Sequence, residues 1–160
     1  TVKPDLFLFS VQALIVELKR VNDFGLKTLV LHPGSHVGAG VEKGLAKIVD
    51  GLNIALAEAN NDVHIALETM SGKGNELGTT IDELKYIIDN CHYKDKLGVC
   101  LDTCHLSDGN QMPNGFEMNS PYDLNEVITT NNIGKRIDIV NMVINNTSNT
   151  LAITLLIWPF

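Results

Sequence analysis

Four side chains stand out by type and spacing: His32, Glu68, Asp102 and His105. Asp102 and His105 lie three residues apart in Gly98-Val99-Cys100-Leu101-Asp102-Thr103-Cys104-His105, at the end of the apolar run Leu97 to Leu101. That run reads as a buried strand, so a carboxylate and an imidazole are held where a stiff element gives way to a loop. Such a pair suits a hard or borderline cation such as zinc. Upstream, the strand-like Lys27 to Leu31 runs into His32, and Val63 to Leu67 runs into Glu68. A glutamate at the end of an apolar strand is costly to bury unless it is paired, hydrogen-bonded or bound to metal. Each residue alone has a plainer use: Asp102 as a helix cap, His32 and His105 as packing histidines, Glu68 as a hydrogen-bonded carboxylate. Finding such residues at the same place in successive units weighs against those uses.

The elements that must position them follow from periodicity. Val11, Leu14, Ile15, Leu18 and Val21 recur at helical spacing, which predicts a helix over 10–23 with Ser10 as N-cap and Gly25 as its stop. The unbroken Thr28-Leu29-Val30-Leu31 suits a sheet covered on both faces. His32-Pro33-Gly34-Ser35-His36-Val37-Gly38-Ala39-Gly40 then forbids continuation and makes a tight exposed loop, with His36 facing solvent or supporting the site from behind. Val41 to about Asn60 is a second helix with a broad apolar stripe of Leu45, Ile48, Val49, Leu52, Ile54, Leu56 and Ala57. After the strand Val63 to Leu67, in which His64 reads as a core or interlayer residue, Gly72-Lys73-Gly74 invites a phosphate-loop reading. It fails, because the lysine precedes the second glycine. Thr80 is instead an N-cap for a helix over 81–90, with Glu83 completing a capping box.

The order is therefore helix, strand, helix, strand, helix, strand, which implies right-handed crossovers and a parallel sheet of the α/β class. His32, Glu68 and Asp102 are separated by 36 and 34 residues, about one strand-helix unit of a (β/α)8 barrel of roughly 250 residues. All three stand at C-terminal strand ends, where such barrels assemble their sites.

Composition bounds the rest. A chain of 160 residues that is 44% hydrophobic is one domain with enough apolar surface for a core. The net charge of −7 excludes a uniformly basic surface, although a local basic groove can still bind phosphates. Three cysteines, Cys91, Cys100 and Cys104, show no disulfide-framework spacing, and a reducing, cytoplasmic compartment is expected. No signal peptide or membrane span is expected, since the apolar tract Leu151 to Phe160 is short and contains Pro159. The first residue is not Met, which leaves room for residues upstream.

His32-Pro33-Gly34-Ser35-His36, Leu67-Glu68-Thr69 and the segment from Gly98 to His105 resemble three successive motifs of the endonuclease IV family, the zinc-dependent apurinic/apyrimidinic endonucleases of base-excision repair. The resemblance runs from about Ser10 to Ser107. It implies an eight-stranded α/β barrel whose top face holds three zinc ions. It also implies that His32 binds the first zinc, Glu68 bridges the first and second, Asp102 binds the second and His105 the third. Clustered zinc would lower the pKa of a water and clamp an in-line displacement at phosphorus, with Glu68 placed to hold the attacking hydroxide. The implied partner is double-stranded DNA with an abasic site, whose nucleotide flips into the pocket at least cost where the base is already missing.

The sequence also departs from that family. The first histidine ligand belongs to a strand upstream of the helix at Ser10, and no histidine follows His105. Only His32, Glu68, Asp102 and His105 have counterparts, so fewer than three zinc ions are expected. Residues 1–107 read as an incomplete part of the barrel, and 108–160 as a divergent, asparagine-rich tail whose apolar runs, Ile137 to Ile144 and Leu151 to Trp158, match no family motif. Irregular structure is expected over Gly109 to Pro121, at most one short helix near Leu124 to Thr129, and low order over Asn145 to Thr150. Two rival readings stay open: a single-metal sugar isomerase or epimerase on a similar barrel, and a metal-free remnant that only packs or associates.

Overall fold

The computed structural model describes residues 1–109, 136–138 and 154–158. It contains helix α1 (Pro4–Asp23), strand β1 (Thr28–Leu31), strand β2 (Gly34–Ser35), helix α2 (Val41–Ala59) and strand β3 (His64–Glu68). Strand β4 (Glu76–Leu77), helix α3 (Ile81–Asn90), strand β5 (Leu97–Asp102), helix α4 (Thr103–Asp108), and strands β6 (Arg136–Asp138) and β7 (Thr154–Trp158) follow. The main sheet has the order β1-β3-β5-β7-β6. β1, β3 and β5 are parallel, as the alternation of elements requires.

One face of these strands meets the helices. Leu29, Leu31, Ile65, Leu67, Leu97, Val99 and Leu101 pack in one cluster with Leu18, Leu52, Leu56, Leu84 and Ile87. Side chains alternate along a strand, so Val30, Ala66 and Cys100 point to the other face, and so do His32, Glu68 and Asp102 beyond them. Ala66 and Cys100 form a separate small buried pair there. In a barrel this second face is the interior.

Several boundaries differ from the sequence reading. The first helix begins at Pro4 rather than Ser10, because Pro4 is a good first residue for a helix. Ser10 is internal and its hydroxyl donates back to the Leu6 carbonyl at 2.7 Å. The stop is where expected: Gly25, at φ +72°, donates to Asn22 O while Leu26 donates to Val21 O, which closes a Schellman turn. β1 is not covered on both faces. Among the described residues it pairs only with β3, and Val30 is 44% exposed. Ile54 and Ala57, expected in the buried stripe of α2, are exposed, and the stripe is completed instead by Gly44, Gly51, Ala55 and Ala59. The N-cap Thr80 does accept from Glu83 N–H at 3.2 Å. The Glu83 carboxylate, however, takes the N–H groups of Gly78 and Thr79 at 2.8 and 3.0 Å, reaching further back than a capping box does.

The segments after β1 and β3 are expected as loops, the first of them tight and exposed. They pair instead as an antiparallel ribbon, Gly34 with Leu77 and Ser35 with Glu76. The ribbon sits against α2 at Gly44, where any side chain would meet His36 and Leu77.

Beyond residue 109 the described segments are β6 and β7. β7 runs antiparallel to β5, Val99 opposite Ile157 and Asp102 opposite Thr154, where a regular barrel would place its next parallel strand. The expected irregular stretch from residue 110 to Pro121, the short helix over 124–129 and the low order over 145–150 lie outside the described residues.

Candidate metal centre

Register alone sets most of the site. Leu31 is paired with Leu67, so His32, the next residue, comes level with Glu68 at the same end of the sheet. Glu68 is in turn level with Cys100, two residues before Asp102. The result is a tight group: one donor atom from each of His32, Glu68 and His105 lies within 4.8 Å of the others. His32 Nε2 is 3.1 Å from Glu68 Oε2, and His105 Nδ1 is 3.4 Å from Glu68 Oε1. The two imidazoles meet edge to face, with ring centroids 5.7 Å apart.

The donor chemistry suits one zinc ion. Two imidazoles and a carboxylate are a common three-ligand set that leaves a fourth position open. Zinc bonds of about 2.0–2.1 Å in a tetrahedron put ligand atoms about 3.3 Å apart, close to the 3.1 Å between His32 and Glu68. The His32 side chain is 59% exposed and that of Glu68 only 13%, so the group opens to solvent on the histidine side.

Asp102 lies next to this group rather than inside it. Its Oδ1 accepts the His105 backbone N–H at 2.9 Å, so it caps the start of α4. Its charge also lies close enough to act on the Glu68 carboxyl. Thus the capping use and the ligand position are compatible in one residue. Of the four residues singled out by spacing, the structure gathers His32, Glu68 and His105 into one cluster and sets Asp102 at its edge. His36 is elsewhere: its Nδ1 accepts from the N–H groups of Gly38 and Gly40 at 3.2 and 3.3 Å and holds its own loop.

Burial pushes the Glu68 carboxyl above the ordinary carboxylate range. The His32 imidazole pulls it down, the Asp102 charge raises it and His105 lowers it. A bound cation would offset the cost of the Glu68 charge in this partly buried setting. Beneath Glu68, Cys100, 1% exposed, has its thiol pushed up to about 12, first by burial and then by Glu68 and Asp102. It is a packing residue in the protonated form.

Thr69 was given no role from sequence. It is 1% exposed and makes contacts to both Asp102 and His105. The available signal was a hydroxyl residue directly after the strand-end glutamate.

A family model described as "Xylose isomerase-like TIM barrel" matches residues 3–151. The chain belongs to that family. Its curated relatives include the "Probable endonuclease 4" of Staphylococcus epidermidis, 47% identical over 123 residues, which is 77% of this chain and 40% of that protein. The "Probable endonuclease 4" of Geobacillus kaustophilus is 53% identical over 123 residues, 77% of this chain and 39% of that protein. That of Staphylococcus aureus is 48% identical over 128 residues, 79% and 41% respectively. The chain therefore spans about two fifths of the length of these relatives. TIM-barrel membership agrees with the parallel β1-β3-β5 sheet and its layer of helices. No helix of the described residues is long and apolar enough to cross a membrane.

Proposed function

We propose that this chain is part of a zinc-dependent endonuclease that hydrolyses the phosphodiester at abasic sites in double-stranded DNA during base-excision repair. The observation that carries the reading is the convergence of His32, Glu68 and His105 at the ends of three parallel strands, taken with relatives named endonuclease 4. In this reading His32, Glu68 and His105 hold zinc, with Asp102 as a further ligand drawn from the edge of the group, and fewer ions bind than in a complete barrel. Bound zinc supplies positive charge against the phosphoryl oxygens and acidifies a water. Glu68 is the catalytic carboxylate, standing between the two imidazoles where it would hold the attacking water at the metal. His32, the most exposed of the group, faces the side from which a phosphate would arrive. Residues 1–107 form the barrel part, and 108–160 a divergent tail that lends β7 to the open edge of β5. The setting is the reducing cytoplasm, which suits three cysteines without disulfide-framework spacing.

The test is cleavage of a duplex carrying a single abasic site, with a full-length relative as positive control and an unmodified duplex as negative control. Nicking restricted to the abasic strand, abolished by chelation and by Glu68→Gln, is the expected result. Zinc-loaded protein that leaves the abasic duplex intact under conditions where the relative cleaves it would overturn the reading for this chain.

A second reading has one specific observation in its favour. The compact group offers two imidazoles and one carboxylate, enough for a single metal, as a sugar isomerase or epimerase needs. Interconversion of an aldose and its ketose by the metal-loaded chain, with no nicking of DNA, would favour it.

A further inference from the structure

Among the described residues Thr69 is the one polar residue that is fully buried, at 1% exposure. A hydroxyl taken out of water is costly unless it is hydrogen-bonded. Three polar atoms of Thr69 are engaged with the segment from Cys100 to His105. Its N–H donates to Cys100 O at 2.9 Å, which extends the β3–β5 pairing one residue past Glu68. Its hydroxyl oxygen accepts the Asp102 backbone N–H at 2.9 Å. Its carbonyl oxygen faces His105 Nδ1, also at 2.9 Å. Because Asp102 Oδ1 accepts the His105 N–H, the three residues close a ring of hydrogen bonds.

That ring has a consequence for which nitrogen of His105 can bind a cation. A carbonyl only accepts, so Nδ1 must donate to it, and in a neutral imidazole the lone pair is then on Nε2. The second group facing Nδ1 is Glu68 Oε1 at 3.4 Å, an acceptor when ionised.

We propose that Thr69 is the positioning residue of the metal centre: its carbonyl fixes His105 as the Nδ1–H tautomer with Nε2 free for the metal, and its hydroxyl pins Asp102 at the strand end. The role rests on the metal-binding reading given above, because a fixed tautomer serves a ligand. Outer hydrogen bonds of this kind orient ligating imidazoles, and their loss costs about 10–100-fold in metal affinity. Valine keeps the β-branched shape of Thr69 but strands the Asp102 N–H. Serine keeps the hydroxyl.

The experiment uses the whole 160-residue chain, labelled with 15N at histidine, first without metal. Long-range 1H–15N spectra at a pH where imidazole is neutral report the tautomer, and His105→Gln identifies the His105 signals by their loss. The expected result is an Nδ1–H, Nε2-unprotonated ring in the wild type, together with slow exchange of the Asp102 amide. An Nε2–H ring or rapid Asp102 exchange in the wild type overturns the proposal without any Thr69 variant, so it does not depend on Thr69→Val folding. Zinc affinity is then measured by competition with a chromogenic chelator. Thr69→Val should bind about 10–100-fold more weakly and lose the slow exchange of the Asp102 amide, while the backbone carbonyl still holds the Nδ1–H tautomer, and Thr69→Ser should restore affinity and slow exchange. Wild-type affinity and a still slowly exchanging Asp102 amide in a folded Thr69→Val protein overturn the role of the hydroxyl. Failure of the wild type to bind zinc overturns the metal reading, whereas the hydrogen-bond ring is judged separately on the metal-free protein.

Discussion

Glu68 Oε2 lies 3.1 Å from His32 Nε2, while the Glu68 carboxyl is held above its ordinary range because burial opposes its charge. Two consequences oppose each other. The carboxylate is needed for a cation, yet without one its charge is unwelcome. A folded-state pKa raised above the unfolded value contributes stability that is fully present below the unfolded pKa and is lost as pH rises through the folded one. We therefore expect Glu68→Gln to raise the thermal midpoint of the metal-free chain at pH 7 and to do so less at pH 4. The same variant should lose zinc binding. Melting curves of both proteins at the two pH values, in the presence of chelator, check the sign. A variant less stable than the wild type at pH 7 would show that its hydrogen bonds, rather than its charge, dominate.

The common end of the sheet was legible because strands alternate with a period of two. Once Val63 to Leu67 and Leu97 to Leu101 are strands in one parallel sheet, Glu68 and Asp102 must share a face, and the length of one unit brings His32 beside them. What was not legible depends on neighbours that are distant in sequence. Val30 looks like any buried strand residue, and its 44% exposure goes with β1 being paired, among the described residues, on one side only. Gly34, Ser35, Glu76 and Leu77 carry no alternation over two-residue strands, so their pairing has no local signature. The start of α1 was misplaced because a serine before an apolar run resembles a cap, whereas Ser10 satisfies its hydroxyl inside the helix.

Gly44 is the contact through which α2 supports the His36 loop. A Cβ placed there would lie 2.5 Å from Leu77 Cδ1, 2.6 Å from His36 Cβ and 3.2 Å from His36 Cα. The leucine tip can swing away, but the base of His36 cannot move without its backbone. Alanine raises helix propensity at an internal position by about 0.5–1 kcal/mol, whereas overpacking costs about 1–3 kcal/mol. The clash wins. Gly44→Ala should be destabilising by about 1–2 kcal/mol, and urea unfolding should show the midpoint falling at unchanged slope.

Asn61 joins three elements at the opposite end of the sheet. Its amide donates to Leu18 O at 3.0 Å, its side-chain oxygen accepts Val63 N–H at 3.1 Å, and its own carbonyl accepts the Lys96 ammonium. Asn61→Ala leaves a carbonyl at the core helix α1 and the N–H that leads into β3 without their partner. A loss of about 1–3 kcal/mol is expected. Lys85→Ala breaks an ion pair with Asp89 whose side chains are 60% and 56% exposed, so at most about 0.5 kcal/mol should follow. Chemical denaturation of the two variants side by side checks the contrast, and equal effects would contradict it.

Cys100 tests whether the floor of the site is closed. Thiolate, not thiol, reacts with alkylating reagents, and a thiol pushed up to about 12 is almost entirely protonated at pH 8. Burial raises the Cys91 thiol as well, against a backbone hydrogen bond from Tyr93 that lowers it. Both side chains are buried, at 1% and 4% exposure, while Cys104 is intermediate. Iodoacetamide applied to the native chain at pH 8, followed by mass spectrometry of the peptides, should therefore modify Cys104 first and leave Cys91 and Cys100 nearly untouched until denaturant is added. Adding zinc should leave Cys100 protected, because its protection comes from packing with Ala66 beneath Glu68 and not from a metal. Rapid modification of Cys100 in the native, metal-free chain would mean that the interior face of β3 and β5 opens to solvent, and that the carboxylates above it are not held in the geometry described.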